Sequence, residues 1–242
     1  MSVASSSMRT RLRTLILASL STVAVCVPLA AQADSLRLGT TYVLFHDHNT
    51  DLTQTSGNPA NATPAGLNTH VQPLATLLLT YSIDFTDHLS AEIVAGIPPH
   101  FRAKGVGPTT VDGVRRYDGE TLLTGTAITP TAFLEYKFFK PGDIRPYLGL
   151  GVNYTRFVKT KMTDAGALVS GGGTRVDLSS SKGLAYVAGL EMPIARDMSL
   201  AFSVSRFKLI TDVRTETDGQ LIRRSHQDLG PTLYSLTAGY DF

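Results

Sequence analysis

The chain closes on "LYSLTAGYDF", Leu233–Phe242. Taken every second residue from the end, Phe242, Tyr240, Ala238, Leu236 and Tyr234 are apolar, while Asp241, Gly239, Thr237 and Ser235 are small or polar. A period of two describes a strand with one greasy and one small-polar face. Chain ends are usually polar and frayed, so a strand that stops on Phe242 implies a sheet that holds it or a partner that reads it.

The opposite end has a different character. Arg9, Arg11 and Arg13 precede the apolar run "TLILASLSTVAVCV" (Thr14–Val27), and "AQA" (Ala31–Ala33) follows. A positive region, a short apolar region and a small-residue cleavage site make a secretory signal peptide. The expected mature chain therefore starts at Asp34, with residues 1–33 as signal peptide and 34–242 as the folded domain. Losing three arginines and no acid from 22 basic and 20 acidic residues leaves 19 against 20. The basicity thus belongs to the signal peptide, and no nucleic-acid partner is expected. The only cysteine, Cys26, lies in the same segment, so an exported chain has no disulfide framework to stabilise it.

Within residues 34–242 no apolar run approaches the ~20 residues of a membrane helix. Alternating runs of about ten recur instead, the length of a tilted strand crossing a bilayer. Strands are expected near Leu36–Phe45, Val71–Ile83, His88–Ile97, Thr126–Phe138, Arg145–Phe157, Gly183–Met192, Met198–Leu209 and Thr232–Phe242. In the fifth, Leu148, Leu150, Val152 and Tyr154 oppose Gly149, Gly151 and Asn153. The seventh loses phase around Ser205–Arg206–Phe207, which predicts a bulge or an early strand end.

The connections alternate in length. "DFTD", "FKPGDI" and "PIARD" are tight turns rich in Asp, Pro and Gly. His46–His70, Pro98–Gly125, Val158–Lys182 and Ile210–Pro231 read as long loops. The fold class expected is all-β: an eight-stranded antiparallel transmembrane barrel with four long extracellular loops and short periplasmic turns. A secreted β-sandwich shares the alternation but gives no reason for such asymmetric connections. Closure also accounts for the terminus, because the last strand of a barrel pairs with the first and leaves no free edge. Phe85, Phe138, Phe139, Tyr240 and Phe242 would form one aromatic girdle, and Phe45, Tyr154, Phe157 and Tyr234 the other.

The stretches "LTYSIDFTDHLSAEIVAGIP" (Leu79–Pro98), "TPTAFLEYKF" (Thr129–Phe138), "RPYLGLGVNYTRF" (Arg145–Phe157), "KGLAYVAGLEM" (Lys182–Met192) and "SLTAGYDF" (Ser235–Phe242) resemble the OmpW family of outer-membrane proteins. "VAGIPPHFRAKG" (Val94–Gly105) is similar to its AlkL branch. The resemblance implies a narrow barrel in the outer membrane of a Gram-negative bacterium, closed toward the periplasm. Small alkane- or terpene-like molecules would cross the lipopolysaccharide layer through it and leave sideways into the bilayer. Leu236, Tyr240 and Phe242 resemble the terminal signal by which the barrel-assembly machinery recognises such chains. The implied partners are therefore that machinery, outer-membrane lipid with lipopolysaccharide, and small hydrophobic solutes. Family members usually carry girdle tryptophans and this chain has none, so its anchoring rests on Tyr and Phe.

The alternation places Glu92, Glu135, Lys137, Arg145 and Glu191 inside a barrel whose interior side chains nearly fill it. In a low-dielectric lumen they are expected to pair as a plug. A hydrophobic solute would then use the upper barrel, where Val43, Phe45 and Phe157 are candidates for the lining. His46 and His48 could share a metal, but no spaced third ligand accompanies them. No cofactor motif appears, and histidines 70, 88, 100 and 226 lie scattered with no evident nucleophile, so no catalytic residue is assigned. The alternatives to a conduit are a structural or adhesive barrel whose loops bind partners, and an outer-membrane lipid-modifying enzyme.

Overall fold

The computed structural model describes residues 34–49, 53–54, 68–107, 118–170 and 174–242. The expected signal peptide lies outside these residues. In chain order the strands are β1 (Asp34–Leu44), β2 (His48–Asn49), β3 (Thr53–Gln54), β4 (Asn68–Val71), β5 (Leu74–Asp84), β6 (Leu89–Gly96), β7 (His100–Val106) and β8 (Thr121–Ile128). They continue as β9 (Thr131–Lys137), β10 (Arg145–Met162), β11 (Thr174–Leu178), β12 (Ser181–Ala195), β13 (Met198–Phe207), β14 (Ile210–Thr217), β15 (Gln220–Asp228) and β16 (Thr232–Asp241). One short helix, Asp164–Ser170, lies between β10 and β11.

Eight of these strands close a wall in the order β1, β5, β6, β9, β10, β12, β13, β16, every pair antiparallel. The ring shuts where β1 pairs with β16, from Ser35 opposite Asp241 to Leu44 opposite Thr232. The closing stretch is thus held along its whole length, and only Phe242 lies beyond the strand.

The wall is inverted relative to a water-soluble protein. Leu150 and Leu184 are 74% and 72% exposed on the outside, while Arg37, Glu135 and Lys137 are 2%, 1% and 1% exposed within. Apolar side chains face outward on every wall strand, from Leu38 and Leu79 to Phe202 and Leu236. That exposure is favourable only in contact with lipid. Tyr136, Phe138, Phe139, Tyr240 and Phe242 ring the turn end of the outer surface, and Tyr42, Tyr154, Tyr186 and Tyr234 the other. Phe45 and Phe157, expected in the second girdle, instead turn inward and pack on the buried cluster.

Three further expectations need correction. The run Thr126–Phe138 is not one strand: β8 and β9 are separated at Thr129–Pro130, because Pro130 has no N–H for the ladder and fixes its own φ. Likewise the run from Val71 breaks at Gln72–Pro73. The phase loss at Arg206 is not a bulge, since β12 and β13 stay in register there and shift only between Pro193 and Ala195. Strand β13 does end early, at Phe207. Finally, the described parts of the long connections are largely strands. Strands β4, β7 and β8 pair with one another and with the upper end of β10, and β11, β14, β15, β2 and β3 form a second sheet above the wall.

Candidate functional site: an apolar chamber above a charged floor

The lumen has two levels. At the turn end, Arg37 of β1 reaches across the interior, its Nη2 donating to Glu191 Oε2 of β12 at 2.6 Å, with Nη1 3.6 Å from Glu92 Oε2 of β6. Room for this side chain comes from Gly239, its cross-strand neighbour, where a Cβ would overlap Arg37. Lys137 Nζ lies 2.8 Å from Asp84 Oδ1 and 3.4 Å from Glu191 Oε2. Arg145 Nη1 sits 3.8 Å from Glu191 Oε1 and 3.9 Å from Asp84 Oδ2, and its other terminal nitrogen donates to the Asp87 carbonyl. Glu191 is therefore shared by three cations drawn from β1, β9 and β10.

Of the five inward charges expected to pair, Glu92, Lys137, Arg145 and Glu191 do so. Glu135 is the exception. It stands opposite Ser90 and Gly149, and neither carboxylate oxygen has a partner among the described residues. Lys137, two residues along the same face, turns to Asp84 and Glu191 instead. Sequence reasoning missed Arg37 and Asp84. Arg37 could have been found, since alternation sets it on the face opposite Leu36 and Leu38.

Above this floor the lumen opens into a cavity of about 270 Å³. Its walls are mainly apolar, with Val71, Phe101, Phe133, Val187, Phe207 and Leu229 among them, but Arg223 and Gln227 of β15 also border it, and Arg37 and Glu92 lie at its foot. Val43, Phe45 and Phe157 all line it, and the Phe157 ring stands edge-on to Phe101 at 5.7 Å. At the mouth, Asp47 Oδ2 accepts the Val71 N–H at 3.0 Å and pairs with His70. Burial pushes the Asp47 carboxyl above the ordinary range despite both contacts.

The cavity also reaches the outer wall. Ile97, Pro98, Ile128, Thr129 and Pro130 border it, yet Ile97 and Ile128 are 59% and 41% exposed. The cause is local. Strands β6 and β9 have 8 and 7 residues, short of the ~9–11 a crossing needs. Their ladder stops at Val94 opposite Thr131, and backbone contact resumes where the Ala127 N–H donates to the Pro99 carbonyl at 3.1 Å, next to His100 opposite Thr126. Between these points lie Pro98, Pro99 and Pro130, none of which can donate a ladder hydrogen bond.

The expected terminal recognition residues Leu236, Tyr240 and Phe242 all face outward, with the Tyr240 and Phe242 rings 5.7 Å apart. The His46 and His48 rings do not converge on a common point. His46 Nδ1 meets the Gly230 carbonyl and His48 Nδ1 the His46 carbonyl.

Comparison with known proteins matches the OmpW family profile to residues 35–242. The chain belongs to the OmpW family. Outer membrane protein W of Salmonella typhimurium is 30% identical over 169 residues, 68% of this chain and 71% of that one. A Pseudomonas aeruginosa relative, the dibenzothiophene metabolism operon protein PahQ, is 24% identical over 69% of this chain and 71% of its own. Among solved structures, outer membrane protein OprG of Pseudomonas aeruginosa superposes with a TM-score of 0.74 at 22% identity, covering 88% of this chain and 96% of that one. The outer membrane protein AlkL, solved in DMPC bilayers, superposes at 0.60 with 19% identity over 87% and 90%. The OmpW-family assignment and the closed, inverted wall place the chain in the outer membrane of a Gram-negative bacterium as a β-barrel.

Proposed function

We propose that this OmpW-family barrel is a passive conduit for small hydrophobic molecules, not an enzyme. The observation that carries the reading is a cavity of about 270 Å³ bordered both by buried Phe133 and Phe207 and by exposed Ile97 and Ile128. Its volume sits near the lower end for small-molecule sites, and its mainly apolar lining suits an uncharged hydrophobe. Straight passage to the periplasm would take the solute through the charged floor, where an apolar molecule gains nothing from breaking paired ions. The floor acts as a plug, and the solute leaves through the proline-lined interruption between β6 and β9 into the bilayer. The name of the Pseudomonas aeruginosa relative PahQ, which ties it to dibenzothiophene metabolism, supports a solute of this class.

The test is uptake of an alkane and of a polycyclic aromatic by cells lacking the protein, cells carrying it, and cells carrying Ser205→Trp. Ser205 lines the chamber, and an indole there fills it without adding charge. Uptake is expected to rise with the wild type and to fall back with the variant, while sugar uptake stays constant. Equal hydrocarbon uptake by all three would overturn the conduit.

A further inference from the structure

The outer surface carries an arrangement of charge that the conduit does not use. Arg156, Lys182, Arg206 and Lys208 are all exposed on the outside of the wall at its extracellular end. Lys182 is directly opposite the outward Tyr154, and Arg206 is opposite the outward Tyr186. The Lys208 N–H donates to the Leu184 carbonyl, which sets Lys208 opposite Leu184 and diagonal to Lys182. Arg156, two residues beyond Tyr154, is diagonal to Lys182 from the other side. The four cations thus form one ladder across β10, β12 and β13, each within about 7–8 Å of the next.

Like charges at such spacing repel, and among the described residues no carboxylate lies within ion-pair distance of any of the four. Their height is fixed by the tyrosines at their feet, since aromatic girdles mark the boundary between hydrocarbon and headgroups. The corresponding ends of β1 and β5 present Tyr42 and Leu77, and β7 exposes Arg102 some residues beyond Ile97.

We infer that this ladder is a binding site for the phosphates of an outer-leaflet glycolipid, the phosphorylated headgroup of lipopolysaccharide. An unpaired cation cluster facing the membrane is favourable only with anions at the same depth, and in this leaflet the glycolipid phosphates lie there. Arginines fork two donors onto phosphate oxygens, and lysines supply point charge beside them. The ladder starts beside the interruption between β6 and β9, where Arg156 stands opposite Ile128, and runs away from it across β12 and β13.

The experiment uses barrel purified from outer membranes and transferred to zwitterionic phosphatidylcholine nanodiscs, titrated with bisphosphorylated lipid A, with dephosphorylated lipid A and with phosphatidylglycerol, and read by native mass spectrometry. Wild type is expected to hold bisphosphorylated lipid A at least tenfold more tightly than the other two. The double variant Lys182→Gln/Lys208→Gln should lose about thirty-fold, from two membrane-facing cations. Arg175→Gln, whose side chain already pairs with Asp177 at 3.1 Å, should lose nothing. Indifference to the lipid A phosphates, or an unchanged double variant, overturns the assignment. Complete displacement of lipid A by millimolar inorganic phosphate also overturns it, as a site for free anion only. Heat-modifiability checks folding, and if the double variant fails that check, Arg206→Gln with a salt titration decides the matter. An unchanged affinity and salt slope there count against the site.

Discussion

The two levels of the lumen are lined by the same strands yet built on opposite principles. Strand β9 gives Lys137 to the floor and Phe133 to the chamber, and β10 gives Arg145 and then Tyr147. The floor is filled by charged side chains in contact between strands far apart in the ring, with Glu135 left unbonded among them. The chamber is left hollow and is lined mainly by apolar groups, with hydroxyls and the Arg223 and Gln227 side chains among them. Whether the lumen is filled or hollow thus depends on which residue type occupies the inward position at each rung, not on the wall itself.

The largest effect should come from breaking the floor. Glu191→Ala removes the carboxylate shared by Arg37, Lys137 and Arg145, leaving buried cations short of a partner. A loss of about 3–5 kcal/mol is expected, read as urea-induced unfolding in detergent micelles. Glu135→Gln, at a floor carboxylate with no hydrogen bond among the described residues, should cost far less. Equal losses at the two positions would mean that burial of charge, rather than the pairing, governs the floor.

Both levels sit inside one lipid-facing sleeve, and the next effect tests it. Leu150→Arg puts a charge at a side chain 74% exposed on the outside of β10. It should cost about 2–4 kcal/mol near the bilayer midplane, by folding titration into lipid vesicles. Truncation in the chamber should be milder. Phe207→Ala removes a ring that packs against a cavity, so only the lost burial of about 1.5–3 kcal/mol is at stake, and hydrocarbon uptake should survive. A loss as large as that of Glu191→Ala would show that the chamber, too, is a structural core.

How far the molecule was legible in its sequence follows the same division. The sleeve was plain, because Leu148, Leu150 and Val152 repeat at period two against glycine and asparagine. The floor was half legible. Alternation put Glu92, Glu135, Lys137, Arg145 and Glu191 inside, but which carboxylate pairs with which cation depends on β1 and β12 facing one another across the lumen, and no local pattern encodes that. The extracellular sheets were read as loops because their buried faces use Thr211, Thr215, Ser225 and Gln227 in place of apolar residues. One local signal was nevertheless available. Asp218–Gly219 takes positive φ at both positions, 52° and 77°, the two-residue turn that an Asp-Gly pair favours in a hairpin, and it joins β14 to β15.

That hairpin offers the same chemistry as the floor in the opposite environment, and so the smallest effect. Asp212 on β14 meets His226 Nδ1 at 2.9 Å and Arg224 Nη2 at 3.3 Å, all three open to water. The hydrogen bond from His226, assisted by Arg224, holds the Asp212 carboxyl below the ordinary carboxylate range. A carboxyl whose pKa is lower in the folded hairpin than in the unfolded chain binds fewer protons when folded. Its contribution is therefore complete above the unfolded carboxylate pKa and fades as pH falls through the lowered value. Amide exchange in β14 and β15, corrected for intrinsic rates, should lose a little protection on acidification from pH 5 toward 2, and Asp212→Asn should abolish that slope. Because water and salt screen an exposed pair, 0.5 M NaCl should flatten the slope as well, while leaving the Glu191→Ala deficit in the floor nearly intact. A slope that resisted salt would mean the hairpin is shielded from solvent in the membrane, for instance beneath the sugar chains of the surrounding glycolipid, and the contrast between floor and hairpin would narrow accordingly.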